Sequence, residues 1–240
     1  MELNKIYLGD AYELIKQVPD KSVDLIYTDI PYLIDDGGCS QNPLSLRAKK
    51  LRTVELEEIR HGIDYSIFDE FCRVLKHIYI YIWCNKNQIY DILTYFINKG
   101  CYFEILCWCK TNPTPLTNNV WLPDIEYCLM FREKGCPLYG EYKTKSKWFQ
   151  SSINKDDKDK FNHPTIKPMQ FVENHIINST KKNDIVLDPF IGSGTTALAC
   201  KHLERKYIGF EINEKYYQIA CDRLQGINQK GELNLFDIDY

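Results

Sequence analysis

The chain has no apolar stretch long enough to cross a bilayer, and no signal-like apolar segment follows its N-terminus. It also has no internal repeat and no low-complexity tract. A soluble, cytoplasmic protein without a membrane partner is expected. An excess of positive charge is missing as well: the net charge is −3 and the pI is about 6.0. This excludes a generally basic nucleic-acid binder, so contact with a polyanion must be confined to local patches. The ten cysteines show no paired C-x2-C spacing, and the five histidines show no H-E-x-x-H or other metal spacing. No metal site is expected, and the thiols are read as small buried side chains. No glycine loop ends in Gly-Lys-Ser/Thr, which disfavours ATP hydrolysis. With 240 residues, 44% of them apolar, the chain can build one good core but is short for two ordinary domains and a linker. One domain over 1–240 is expected.

Among the features present, Asp29-Ile30-Pro31-Tyr32, at the end of the apolar run 23–28, is the most informative. A carboxylate accepts hydrogen bonds, proline fixes the backbone so that a neighbouring carbonyl can point outward, and tyrosine offers a flat face for stacking. Together these suit an extruded base that carries an NH2 group. Taken alone, such a string is more often a plain turn, since Asp and Pro favour turns on steric grounds.

The second signal lies near the other end. Residues 184–188 read as a short buried strand, and Pro189-Phe190-Ile191-Gly192-Ser193-Gly194 is a glycine loop that opens the helical stretch from Thr195. A further strand over 206–211 ends in Glu211, 23 positions after Asp188, about where ribose hydroxyls are gripped in dinucleotide folds. A nucleoside-containing ligand is expected. Asp188 stands where a pyrophosphate would meet like charge, so a cationic ligand such as S-adenosylmethionine matches better than a dinucleotide.

With these residues the chain resembles the amino-methylating DNA methyltransferases, which act on adenine N6 or cytosine N4. Asp29-Ile30-Pro31-Tyr32 is similar to that family's catalytic Asp/Asn-Pro-Pro-Tyr motif, with Ile30 where proline is commoner. Asp188 to Thr196 resembles its cofactor loop, and His163-Pro164-Thr165-Ile166-Lys167-Pro168 the element before it. Catalytic motif first and cofactor loop last is the permuted arrangement of the beta group. The resemblance implies cofactor contacts from Asp10, Thr165, Lys167, Asp188, Pro189, Phe190, Gly192, Ser193, Gly194, Thr195, Thr196 and Glu211. Thr165 and Lys167 would meet the carboxylate of the methionine part. Asp10 is equally a helix N-cap, because it precedes Glu13 by three residues. The resemblance also implies DNA as substrate, and leaves room for a homodimer and for a cognate restriction endonuclease as partners.

The hydrophobic pattern agrees with an α/β fold of Rossmann-like type, a mixed, mostly parallel seven-stranded sheet with helices on both faces. Strands are predicted near 4–8, 23–28, 78–84, 102–109, 125–131, 184–188 and 206–211. Helices are predicted near 10–18, 66–76, 87–98, 168–179, 195–204 and 213–225. Segments 33–62 and 132–162 fit no core element and are read as DNA-facing insertions, through Arg47, Lys49, Lys50, Arg52, Lys143, Lys145 and Lys147. Each is equally a solvated charged loop.

The expected activity is methyl transfer from S-adenosylmethionine to adenine N6 in DNA, with Asp29, Ile30, Pro31 and Tyr32 as the catalytic residues. The same chemistry on cytosine N4, RNA adenine or a protein amide remains open. A nicotinamide-dependent oxidoreductase and a non-catalytic DNA-binding module are the readings from other classes. A cytosine-C5 enzyme needs a nucleophilic cysteine, usually in a Pro-Cys pair; here only the reverse order, Cys136-Pro137, occurs.

Overall fold

In a computed structural model, residues 1–33, 62–113, 121–153 and 167–226 are described. They form eight strands: β1 (Lys5–Leu8), β2 (Leu25–Asp29), β3 (Tyr79–Cys84), β4 (Tyr102–Lys110), β5 (Ile125–Arg132), β6 (Trp148–Ser151), β7 (Ile185–Asp188) and β8 (Lys206–Glu211). The helices are α1 (Ala11–Leu14), α2 (Ile67–Val74), α3 (Ile89–Asn98), α4 (Met169–Ser179), α5 (Thr195–His202) and α6 (Glu214–Leu224). The strands share one sheet in the order β1-β8-β7-β2-β3-β5-β4-β6.

The sheet has one strand more than the pattern predicts. The addition is β6, which pairs parallel with β4 at the edge through Cys107↔Trp148 to Lys110↔Ser151. Segment 132–162 is therefore not all insertion. Its first part holds a 3-10 turn, Tyr142–Lys145, and then this strand.

Alternation along the central strands sorts the core into two layers, as the period of two demands. Tyr79, Tyr81 and Trp83 of β3 enter one layer with Phe171 and Ile176 of α4 and Ala199 of α5. Ile80, Ile82 and Cys84 enter the other with Phe68 and Phe71 of α2 and Phe96 of α3. Strands buried on both faces read as unbroken apolar runs, as in β3.

The topology decides where chemistry can sit. β2 and β7 are parallel neighbours; from β2 the chain proceeds outward to β3, and from β7 outward to β8 on the other side. This is a topological switch point, and ligands bind beyond the carboxyl ends of the strands there. Asp29, Asp188 and Glu211 end β2, β7 and β8 and so share one edge. β5 runs antiparallel to β3 and β4, which brings its amino-terminal residue Glu126 to that same edge.

The loop after β7 needs its glycines for steric reasons. Gly194 has φ +81°, and a Cβ there would come within 2.9 Å of Ala220 Cβ. Gly194→Ala is expected to destabilise the fold by about 1–3 kcal/mol, from a left-handed backbone and overpacking. Thermal unfolding checks this, and an unchanged Tm would refute it.

Candidate active site

A cavity of about 470 Å³ opens at the switch point. Its wall brings together Asp10, Asp29, Ile30, Pro31, Tyr32, Lys167, Asp188, Pro189, Phe190, Gly192, Ser193, Thr195, Thr196 and Glu211, which the sequence offers as site residues. Thr165, Arg47, Lys49, Lys50 and Arg52 lie outside the described residues. Residues that sequence reasoning missed also line the cavity: Tyr12, Trp83, Ile212, Asn213 and Tyr216. Ile212 is 68% exposed, and an apolar side chain next to Glu211 was the signal available.

Tertiary contacts fix the tetrad. The Ile30 N–H donates to the Trp83 carbonyl (3.3 Å). The buried Gln88 donates through Nε2 to the Pro31 carbonyl (3.0 Å). Asp29 Oδ2 accepts from Lys167 Nζ at 2.6 Å, and the same ammonium lies 3.3 Å from the Tyr32 hydroxyl. Asp29 Oδ1 is buried and has no hydrogen-bond partner among the described residues. A carboxylate beside an aromatic ring on a cavity wall is what an NH2 group requires. Burial pushes the Asp29 carboxyl above its ordinary range, opposed by Lys167 and reinforced by Glu126.

The half of the cavity beyond β7 and β8 is anchored by its acids. Asp188 accepts from the Thr196 hydroxyl at 2.6 Å and from the Phe190 N–H at 3.2 Å. Burial raises its pKa to about 7. The Glu211 carboxylate accepts from the Gly192 N–H at 2.9 Å and from the Asn213 N–H at 2.9 Å, so it shapes the loop as well as the wall. Asp10 caps α1 by accepting from the Tyr12 N–H at 2.9 Å while facing the cavity.

The surroundings of Lys167 differ from those the resemblance implies. The side chain is 6% exposed and sits between Asp29 and Glu126, whose Oε2 is 3.0 Å away. It therefore belongs with the tetrad, where a carboxylate ligand would meet Asp29. Of the lysines expected at DNA, Lys143 and Lys145 are exposed in the 3-10 turn. Lys147 is already engaged, 2.6 Å from Glu104.

The wall thus carries four acids, Asp10, Asp29, Asp188 and Glu211, against one lysine whose charge two carboxylates share. It fits a cationic nucleoside and repels a pyrophosphate. A profile of the family described as "DNA methylase", which covers N6 and N4 enzymes, matches residues 23–222. The chain belongs to this family of amino-methylating DNA methyltransferases. It is similar to the type II methyltransferase M2.LlaDCHI of Lactococcus lactis subsp. cremoris, 32% identical over an alignment of 236 positions that covers 90% of this chain and 87% of that one. It also resembles the crystal structure of the M1.HpyAVI–SAM complex, at 29% identity and a TM-score of 0.68, over 92% of this chain and 98% of that one. The cytosine-N4-specific PvuII DNA methyltransferase shares the fold, with 19% identity, a TM-score of 0.65 and coverage of 91% and 85%. The methyltransferase is an S-adenosylmethionine-dependent enzyme of the α/β class, and this removes the nicotinamide reading.

Among its described residues, no group of His, Cys, Asp and Glu could hold a metal, and no helix is long and apolar enough to cross a membrane. Cys84, Cys101, Cys128 and Cys200 are buried, and burial raises the Cys84 thiol to about 12. These are packing cysteines.

Proposed function

We propose that the enzyme methylates the N6 amino group of adenine in DNA, with Asp29, Ile30, Pro31 and Tyr32 as the acceptor half-site. The observation that carries this reading is the Asp29 carboxylate on the cavity wall, held by Lys167 and next to Tyr32. The lone pair of an aromatic amine is delocalised into its ring, so the nitrogen is a poor nucleophile. The Asp29 carboxylate and the Ile30 carbonyl accept the two amino hydrogens and turn the lone pair out of the ring plane. Orientation of this kind supplies much of the rate. Tyr32 stacks on the flipped base. As the nitrogen gains its methyl group, one N–H bond breaks, the electron pair stays on nitrogen and the proton passes to Asp29.

S-adenosylmethionine supplies an electrophilic methyl group on a sulfonium. The residues that would hold it are Asp10, Asp188, Glu211, the loop Pro189 to Thr196, and Thr165. The cytosine-N4-specific relative stands at 19% identity and shares the fold alone, so it lends cytosine no support. Cytosine N4 is the alternative, with the same half-site. Residues 33–62 and 132–162 are proposed as the DNA-facing segments of a single catalytic domain. A homodimer, a cognate restriction endonuclease and a cytoplasmic location complete the proposal.

The test is transfer of labelled methyl from S-adenosylmethionine to unmethylated genomic DNA, followed by nucleoside analysis. Label in N6-methyladenine is the expected outcome. Label in N4-methylcytosine would replace the base and keep the mechanism, and label only in RNA or protein would sink the DNA assignment.

A further inference from the structure

Glu126, which no motif singles out, forms with Lys110 and the buried Lys167 a partly buried chain of charge that ends on the reacting carboxylate. Lys110 Nζ lies 2.5 Å from Glu126 Oε1, Glu126 Oε2 lies 3.0 Å from Lys167 Nζ, and Lys167 Nζ lies 2.6 Å from Asp29 Oδ2. With Asp29 the four formal charges sum to zero. The sheet produces this meeting, since the antiparallel β5 brings its first residues to the edge where β2 ends.

We propose that Lys167, shared between Glu126 and Asp29, is a positioning residue that fixes the rotamer of Asp29 and tunes its charge for the amino group. The proposal rests on the reading that Asp29 receives that group. A lysine that holds Oδ2 while Oδ1 is buried keeps the carboxylate from turning, so it has one orientation to offer the cavity. A lysine paired with Asp29 alone would also make it a weak proton acceptor, because an undivided positive charge 2.6 Å away stabilises the carboxylate form. Glu126 divides that charge. Burial works to lower Lys167, but Asp29 and Glu126 hold it well above the ordinary lysine range, so it stays cationic throughout. Glu126 is likewise held below its ordinary range, against its burial, by Lys167 and Lys110. The other titratable groups around Asp29 are Tyr32, Asp188, Cys84 and Cys128, and burial pushes each of them up.

The test compares wild type, Lys167→Met and Glu126→Gln in three readouts: the acid limb of the single-turnover pH profile, the 13C titration of Asp29 in the cofactor-free protein, and S-adenosylmethionine affinity by calorimetry. Lys167→Met removes the cation, so the acid limb and the Asp29 titration should move up by about one pH unit, with turnover at pH 7 down about tenfold. Glu126→Gln leaves the whole lysine charge on Asp29, so both should move down by a similar amount. Cofactor affinity should stay within about threefold for each. A merely structural role does not produce shifts of opposite sign. Shifts of the same sign, or unmoved limbs, overturn the proposal, as does a loss of cofactor affinity above tenfold in Lys167→Met alone, which would put Lys167 on the cofactor. If Lys167→Met does not fold, the sign of the Glu126→Gln shift decides. Turnover that survives in Asp29→Ala would instead refute the reading of Asp29 itself, and is separable from all of these.

Discussion

Asp29→Ala is expected to lower methyl transfer by at least about 100- to 1000-fold, the cost of removing a single preorganised group that acts on the transition state. Cofactor affinity should be retained, because Asp29 ends β2 while the cofactor loop follows β7. Asp29→Asn tests the orientation directly. Lys167 donates to Oδ2 and would take the amide oxygen in its place, which puts the amide NH2 at the buried Oδ1 position and removes both an acceptor and the negative charge. Asparagine should therefore fail nearly as badly as alanine. Single-turnover rates with calorimetric cofactor affinities separate the outcomes, and an active alanine variant ends the assignment.

Asp188→Asn is expected to weaken cofactor binding and stabilise the empty protein at once. Burial raises Asp188 to about 7, so near neutral pH much of it is protonated before a cation arrives. A cationic ligand favours the carboxylate and drives the proton off. Binding should tighten about tenfold between pH 6 and pH 8, with proton release seen as a dependence of the calorimetric heat on buffer. In Asp188→Asn that pH dependence should vanish and affinity should fall about tenfold or more. The sign for stability is the reverse. The folded-state pKa lies above the ordinary 3.8, so the contribution of Asp188 is fully present below about pH 4 and is lost as pH rises through about 7. Asparagine can keep the hydrogen bond from Thr196 and has no such loss. Its Tm should exceed that of wild type by a few degrees at pH 8, at about 2–4 °C per kcal/mol, with the gap closing toward pH 4. A lower Tm at pH 8 would show that the charged form is needed for folding.

Most strands were legible because a sheet buried on both faces demands continuous apolar runs, and β3 supplies one in Tyr79–Cys84. β6 was not, because its short stretch Trp148–Ser151 stands among lysines and owes its form to pairing with β4 rather than to local preference. The acids at the ends of β2, β7 and β8 were readable from position alone. Lys167 was readable as a site residue but not in its contacts, since its partner Asp29 is 138 residues away in sequence. Glu126 gave no signal at all. Its place depends on the reversed direction of β5, which no local pattern encodes.

The two halves of the cavity meet along a single strand pair, β2 and β7, in register at Leu25↔Val186 and Ile26↔Leu187. The proposed sites for the methyl donor and for its acceptor are therefore written in separate passages of the chain. A variant library confined to 29–32 and their supports can search for new acceptors while the donor machinery stays untouched, and one confined to 188–196 can search for new donors. What links the two searches is geometric, the spacing between neighbouring strands, and it remains constant in both.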